Sequence, residues 1–105
     1  MTEIISDIVK DRLSISLTGD IDHHSAKSVR DNIDALIAQN NPTELTLDLS
    51  GVEFMDSSGL GLVLGRYKKQ AEYGGKMRIV NPTKRIFQIL KLAGVEKVIK
   101  VERTH

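Results

Sequence analysis

The sequence contains no cysteine and no tryptophan. Without thiols, disulfides, thiolate catalysis and cysteine-based zinc sites are excluded. Aromatic residues make up only 4%, too few for the stacking platforms that single-stranded nucleic acid requires. No charge of one sign dominates: 15 Lys and Arg stand against 14 Asp and Glu, a formal net charge of +1. That balance creates no field pointing to nucleic acid or to a membrane surface, and neither is expected as a partner. No apolar run approaches the roughly 20 residues that span a bilayer. The start, Met1-Thr2-Glu3-Ile4-Ile5, lacks a basic region followed by an apolar stretch, so no secretory signal is expected and the protein is read as cytoplasmic. Three catalytic signatures are missing as well: the G-x-x-x-x-G-K-[ST] phosphate loop, a G-x-G-x-x-G after a strand, and the G-x-S-x-G nucleophile elbow. Gly59-x-Gly61-x-x-x-Gly65 has the wrong spacing for a nucleotide fingerprint.

What is present reads as one domain, residues 1–105, with 40% apolar and 28% charged residues, the mix of an ordinary soluble fold. Residues 3–9 read as a strand. Residues 12–18 alternate strictly, with Leu13, Ile15 and Leu17 on one side and Arg12, Ser14, Ser16 and Thr18 on the other, the period of a half-buried strand paired in a hairpin. Residues 25–39 change to a helical period through Ala26, Val29, Ile33, Leu36 and Ile37, with Ser25 as N-cap and Pro42 beyond the end. A strand follows over 44–50. A second helical stretch carries Leu60, Val63, Leu64 and Tyr67, and another strand covers 76–80. A third helix carries Ile86, Phe87, Ile89, Leu90 and Ala93, with Gly94 at its C-cap, and Val98, Ile99 and Val101 suggest a last short strand. The order β-β-α-β-α-β-α-β predicts an α/β domain. Its sheet is mixed, mostly parallel with an N-terminal antiparallel hairpin, and covered by helices.

The informative segment is Phe54-Met55-Asp56-Ser57-Ser58-Gly59-Leu60-Gly61-Leu62. It places hydroxyls where a strand gives way to a helix. The first amides of a helix lack internal partners and the dipole there is positive, so a phosphate on such a serine would sit in a favourable field. The plain alternative is an Asp or Ser that caps a helix and does nothing more. Two features weigh against it. Ser57-Ser58 is redundant for capping, and glycines recur at 59, 61 and 65 although each costs about 1 kcal/mol relative to Ala inside a helix. Gly61 and Gly65 share a face that permits close approach, either by the protein's own strand or by a partner.

The second candidate is Gly19-Asp20-Ile21-Asp22-His23-His24. Both segments follow strands, and ligands of open parallel sheets bind beyond the C-terminal strand ends. Adjacent histidines alternate direction and rarely converge on one ion, and the only other histidine is His105. A solvated loop that caps the first helix is preferred to a metal site or an acid–base pair.

Together the Gly19–His24 loop, continued through Ser25-Ala26, and the Phe54 to Lys68 segment resemble the STAS-type anti-sigma factor antagonists, closest to the sporulation (stage II, AA-type) branch. The helix Lys84-Arg85-Ile86-Phe87 and Gly94 fit the same pattern, and the likeness runs through nearly the whole chain. The resemblance implies a STAS-like fold, no enzymatic activity of its own, no metal and no cofactor. It also implies a cycle. The unphosphorylated protein binds an anti-sigma factor that is also a serine kinase and supplies the ATP, which releases the sigma factor. Phosphorylation then ends the complex, and a PP2C-type phosphatase resets it. The acceptor implied is the serine directly after the aspartate, Ser57. The partner surface implied is Gly19, Asp20, Asp22, His23, His24, Asp56, Ser57, Ser58, Gly59 and Gly61. Members of the family usually continue into another helix where this chain stops at His105, and a short end is expected to expose part of the sheet or the third helix. Two other classes compete. One is a small hydrolase using Asp20, Asp22, Asp56 and the histidines, and the other is a passive scaffold inside a larger assembly.

Overall fold

The computed structural model describes residues 2–103. His105 lies outside them. The elements in chain order are β1 (Glu3–Val9), β2 (Arg12–Thr18), α1 (Ala26–Asn40), β3 (Glu44–Gly51), α2 (Ser57–Glu72), β4 (Lys76–Val80), α3 (Lys84–Leu92), a 3-10 turn (Val95–Lys97) and β5 (Lys100–Glu102). They form a five-stranded sheet in the order β1-β2-β3-β4-β5. Only β1 and β2 pair antiparallel, and β2 to β5 run parallel. The expected topology and fold class are therefore those observed. The last strand begins later than its apolar residues suggest: Val98 and Ile99 precede it, because the chain is still leaving the 3-10 turn through the Val98 and Ile99 amides, which both donate to the Val95 carbonyl.

Strand register assigns the two faces. Leu13 is beside Leu45, which is beside Met77, and Ile15 is beside Leu47, which is beside Ile79. These residues are buried, in one cluster with Val29, Ile33 and Ile37 of α1, Leu62 and Val63 of α2, and Ile86 and Leu90 of α3. All three helices thus cover the same face. Each fully buried aliphatic side chain contributes about 1.5–3 kcal/mol, so this single layer accounts for the cohesion of the domain. The opposite face is mostly polar and partly open, with Ile5 and Val9 of β1 exposed along its edge. At its centre Arg78 reaches Glu44 at 3.0 Å and Glu102 at 3.3 Å and donates to the Thr46 hydroxyl.

Helix α2 departs from its apolar pattern. Leu64 is exposed, whereas Arg66 and Gln70 are buried. Arg66 Nε lies 3.0 Å from Asp34 of α1. Burial pulls the Arg66 pKa below the ordinary arginine value, and the Asp34 charge opposes that shift. Gln70 donates to the Pro42 carbonyl at 2.8 Å.

Candidate functional site

The site is built where β2 and β3 end. The two segments that follow them are stitched by main-chain bonds. Gly19, at φ 107°, donates to the Gly51 carbonyl at 2.9 Å, Ile21 donates to Phe54 at 3.0 Å, and the Asp56 amide returns to Ile21 at 3.3 Å. Ile21 and Met55 form an isolated parallel bridge. The two loops singled out by sequence therefore share one edge of the sheet. Gly59 is needed here: a Cβ would run into the Met55 side chain and come within 2.9 Å of the Ile21 carbonyl oxygen.

Asp56 joins the loops a second time. One carboxylate oxygen, Oδ1, accepts from the Ser58 and Gly59 amides at 2.8 and 3.2 Å, which caps α2. The other, Oδ2, accepts from the His23 amide at 3.1 Å. Replacing Asp56 by Ala is expected to cost about 1 kcal/mol, the usual value of an N-cap. Amide exchange should accelerate together at His23, Ser58 and Gly59. Exchange faster at Ser58 and Gly59 alone would show that the loop is held by other bonds.

The start of α1 is organised by Asp22. Ser25 makes no side-chain cap bond to the helix, contrary to its expected role. Asp22 Oδ1 accepts from the His24 and Ser25 amides at 2.9 and 3.1 Å, and the Asp22 amide donates back to Ser25 Oγ at 3.1 Å. This reciprocal pair works as a capping box, and the Asp-x-x-Ser spacing was the signal for it. The Ser25 amide, helped by the His24 amide, lowers the Asp22 pKa below 3.8. A carboxylate with a depressed pKa holds its bonds above that ordinary value and releases them as pH falls through the lowered one.

Ser57 is the first residue of α2 and is exposed, with no bond to its hydroxyl among the described residues. Ser58 is half-buried and lines a groove between α1 and α2. Gly61 is exposed, and a Cβ at Gly61 or Gly65 would meet nothing. Internal packing thus explains Gly59 and leaves Gly61 and Gly65 unexplained. Asp20 is exposed, and its carbonyl accepts from Thr2 and Ser25. His23 and His24 are exposed with their rings edge-on at 5.8 Å. Among the described residues no three His, Asp or Glu side chains gather as a metal site, and no helix is long and apolar enough to cross a membrane. Sequence reasoning missed Lys27 and Arg30, which line the same groove as Ser58. They fall off the apolar face of the first helix, and nothing in the sequence singles them out.

An antiparallel hairpin leading a parallel sheet, helices on one face and an aspartate-capped serine at the sheet edge define a compact class of α/β domain. The chain belongs to the STAS domain family, whose sequence model matches residues 1–105. It is 35% identical over 89 residues to the anti-sigma F factor antagonist of Paenibacillus polymyxa, covering 85% of this chain and 76% of that protein. Among solved structures, the anti-sigma factor antagonist SpoIIAA in its unphosphorylated form superposes with a TM-score of 0.81 at 27% identity, over 94% of this chain and 87% of that one. The phosphorylated form of the Bacillus cell fate determinant SpoIIAA gives 0.74 at 27% identity, over 94% and 90%.

Proposed function

We propose that the protein is an anti-sigma factor antagonist switched by phosphorylation of Ser57. In its unphosphorylated form it binds an anti-sigma factor with serine kinase activity and frees the sigma factor. The kinase uses its own ATP to phosphorylate Ser57, the complex dissociates, and a PP2C-type phosphatase restores the hydroxyl. The chain acts as a cytoplasmic binding partner in transcription regulation, of the kind used in sporulation, and catalyses no step itself. The observation that carries this reading is the exposed, unbonded Ser57 hydroxyl beside a carboxylate that ties both loops together. The names of the relatives, one of them solved in a phosphorylated form, support it.

The switch follows from charge. A phosphate adds about −1.5 to −2 charges. The amides of Ser58 and Gly59 are already taken by Asp56, so the new charge meets the helix dipole without those donors and stands next to a carboxylate. In a tight interface like charges cost several kcal/mol. The partner surface is Gly19, Asp20, Asp22, His23, His24, Asp56, Ser57, Ser58, Gly59 and Gly61.

The test is incubation with ATP and host-cell extract, followed by mapping of the added phosphate by mass spectrometry in wild type, Ser57→Ala and Ser58→Ala. Phosphate on Ser57, lost only in Ser57→Ala, supports the reading and allows the kinase to be purified. No phosphate on either serine with an active kinase present counts against it. A second expectation concerns Gly61→Ala. Helix propensity should raise stability by about 1 kcal/mol, since the new methyl meets nothing, while affinity for the kinase falls. A variant that is both more stable and equally tight in calorimetric titration would remove Gly61 from the partner surface.

A further inference from the structure

We propose that the groove between α1 and α2 is the seat for an acidic segment of the anti-sigma partner, selected by Lys27 and Arg30. This rests on the reading of Ser57 as a partner-facing switch and adds the chemistry of the contact. The groove has a volume of about 300 Å³. Ala26, Gly61 and Leu62 give it a small, apolar lining, His23, Lys27 and Arg30 add basic groups, and Ser58 brings it next to the switch residue. Among the described residues no carboxylate lines it. Asp31 binds both cations, at 3.0 Å from Lys27 and 3.3 Å from Arg30, but it lines the neighbouring recess with His24 and Asn32. Two positive charges share one carboxylate, which leaves a net positive charge for a partner to answer.

These ion pairs exchange easily. The side chains are 78% exposed at Lys27 and 46% at Arg30, and exposed pairs are worth little. A partner that covers these exposed cations shields the contact from water, and a carboxylate set there gains more than one left in solvent. The end of the groove decides between kinds of anion. His23, which lines it, is bonded through its amide to Asp56, and Asp20 and Asp22 belong to the same loop. A nucleotide or nucleic acid would press several phosphates toward these carboxylates. A folded partner can set a carboxylate against Lys27 and Arg30 and cations against the loop. A surface with both signs also fixes the partner's orientation, which presents Ser57 in one direction. Gly61, without a Cβ, lets a partner backbone approach the groove.

The experiment is calorimetric titration of the full chain with the purified kinase that labels Ser57. The double variant Lys27→Glu/Arg30→Glu is expected to bind about 10-fold more weakly or worse, with an unchanged melting temperature, as for substitutions at exposed sites. Lys27→Arg/Arg30→Lys should bind like wild type. Asp31→Asn should bind several-fold more tightly, roughly the effect of freeing one rim charge, which a purely structural role for Asp31 would not produce. Wild-type affinity in the double reversal, with Ser57→Asp still releasing the complex, overturns the groove and leaves the switch standing. If Ser57→Asp fails to release the complex while the double reversal weakens it, the groove stands and the switch falls. Saturable binding of ATP to the isolated chain, abolished by the double reversal, would assign the groove to a nucleotide and overturn the acidic segment.

Discussion

Ser57→Asp is expected to lower affinity for the kinase about 100-fold, equivalent to about 2.7 kcal/mol, with no loss of stability. The two halves of that expectation have separate causes. In the free protein Ser57 is exposed and makes no side-chain bond among the described residues, so no such bond is lost on replacement. A negative charge in the first turn is favoured by the helix dipole, by about 0.3–1 kcal/mol at exposed positions. In the proposed complex the same charge would be packed against a partner, close to Asp56, where repulsion and desolvation act together. Titration calorimetry and thermal melts separate the two effects. Ser57→Ala should bind like wild type but never be released by ATP. An aspartate variant that is folded and binds undiminished would sink the electrostatic account, whatever mass spectrometry finds at Ser57.

The largest loss of stability is expected from Asp34→Ala, about 3–5 kcal/mol, the usual cost of breaking a buried ion pair from one side. The side chain of Arg66 is only 9% exposed and that of Asp34 25%. Their 3.0 Å approach is poorly aligned for a hydrogen bond, and Arg66 Nη1 has no hydrogen-bond partner. Removing Asp34 therefore leaves the buried Arg66 charge without its nearest carboxylate and with the weaker attraction of Asp31 in its place. Replacing the arginine itself by Met removes the charge and fills much of the same space, so Arg66→Met should be near neutral or stabilising. Urea denaturation of the two variants gives opposite results if the charge dominates, and similar losses if packing does. Total stability of a domain is only about 5–15 kcal/mol, so Asp34→Ala should be marginal at physiological temperature.

The same pair marks where the sequence was hard to read. The order of strands and helices followed from apolar period alone, because Leu13-Ile15-Leu17 and Leu45-Leu47-Leu49 alternate without exception. Helix α2 could be placed but not rotated correctly. Two of its buried positions hold Arg66 and Gln70, whose long polar side chains hide a core face from any hydrophobicity argument. Local bonding was legible at Asp56, which caps its helix as an aspartate in that position should. It misled at Ser25, because a serine before a helix looks like a cap whether it bonds forward or back to Asp22. The meeting of the two loops was legible from topology. The groove was not, since Lys27 and Arg30 become neighbours of Ser58 only when α1 and α2 lie side by side, and nothing in the spacing of either helix encodes that.

The sheet order has a practical consequence. Because β1 runs against the other strands, Glu3 lies beside Thr18, and Thr2 bonds the Asp20 carbonyl. Because β5 runs with β4, Glu102 finishes beside Val80. The start of β1 and the end of β5 thus lie on the rim that carries Ser57, whereas the Lys10-Asp11 turn between β1 and β2 lies on the far rim. A bulky group attached at Thr2 or Arg103 would stand on the same rim as the proposed docking surface. A fluorophore or tether meant to leave that surface clear belongs at the hairpin turn.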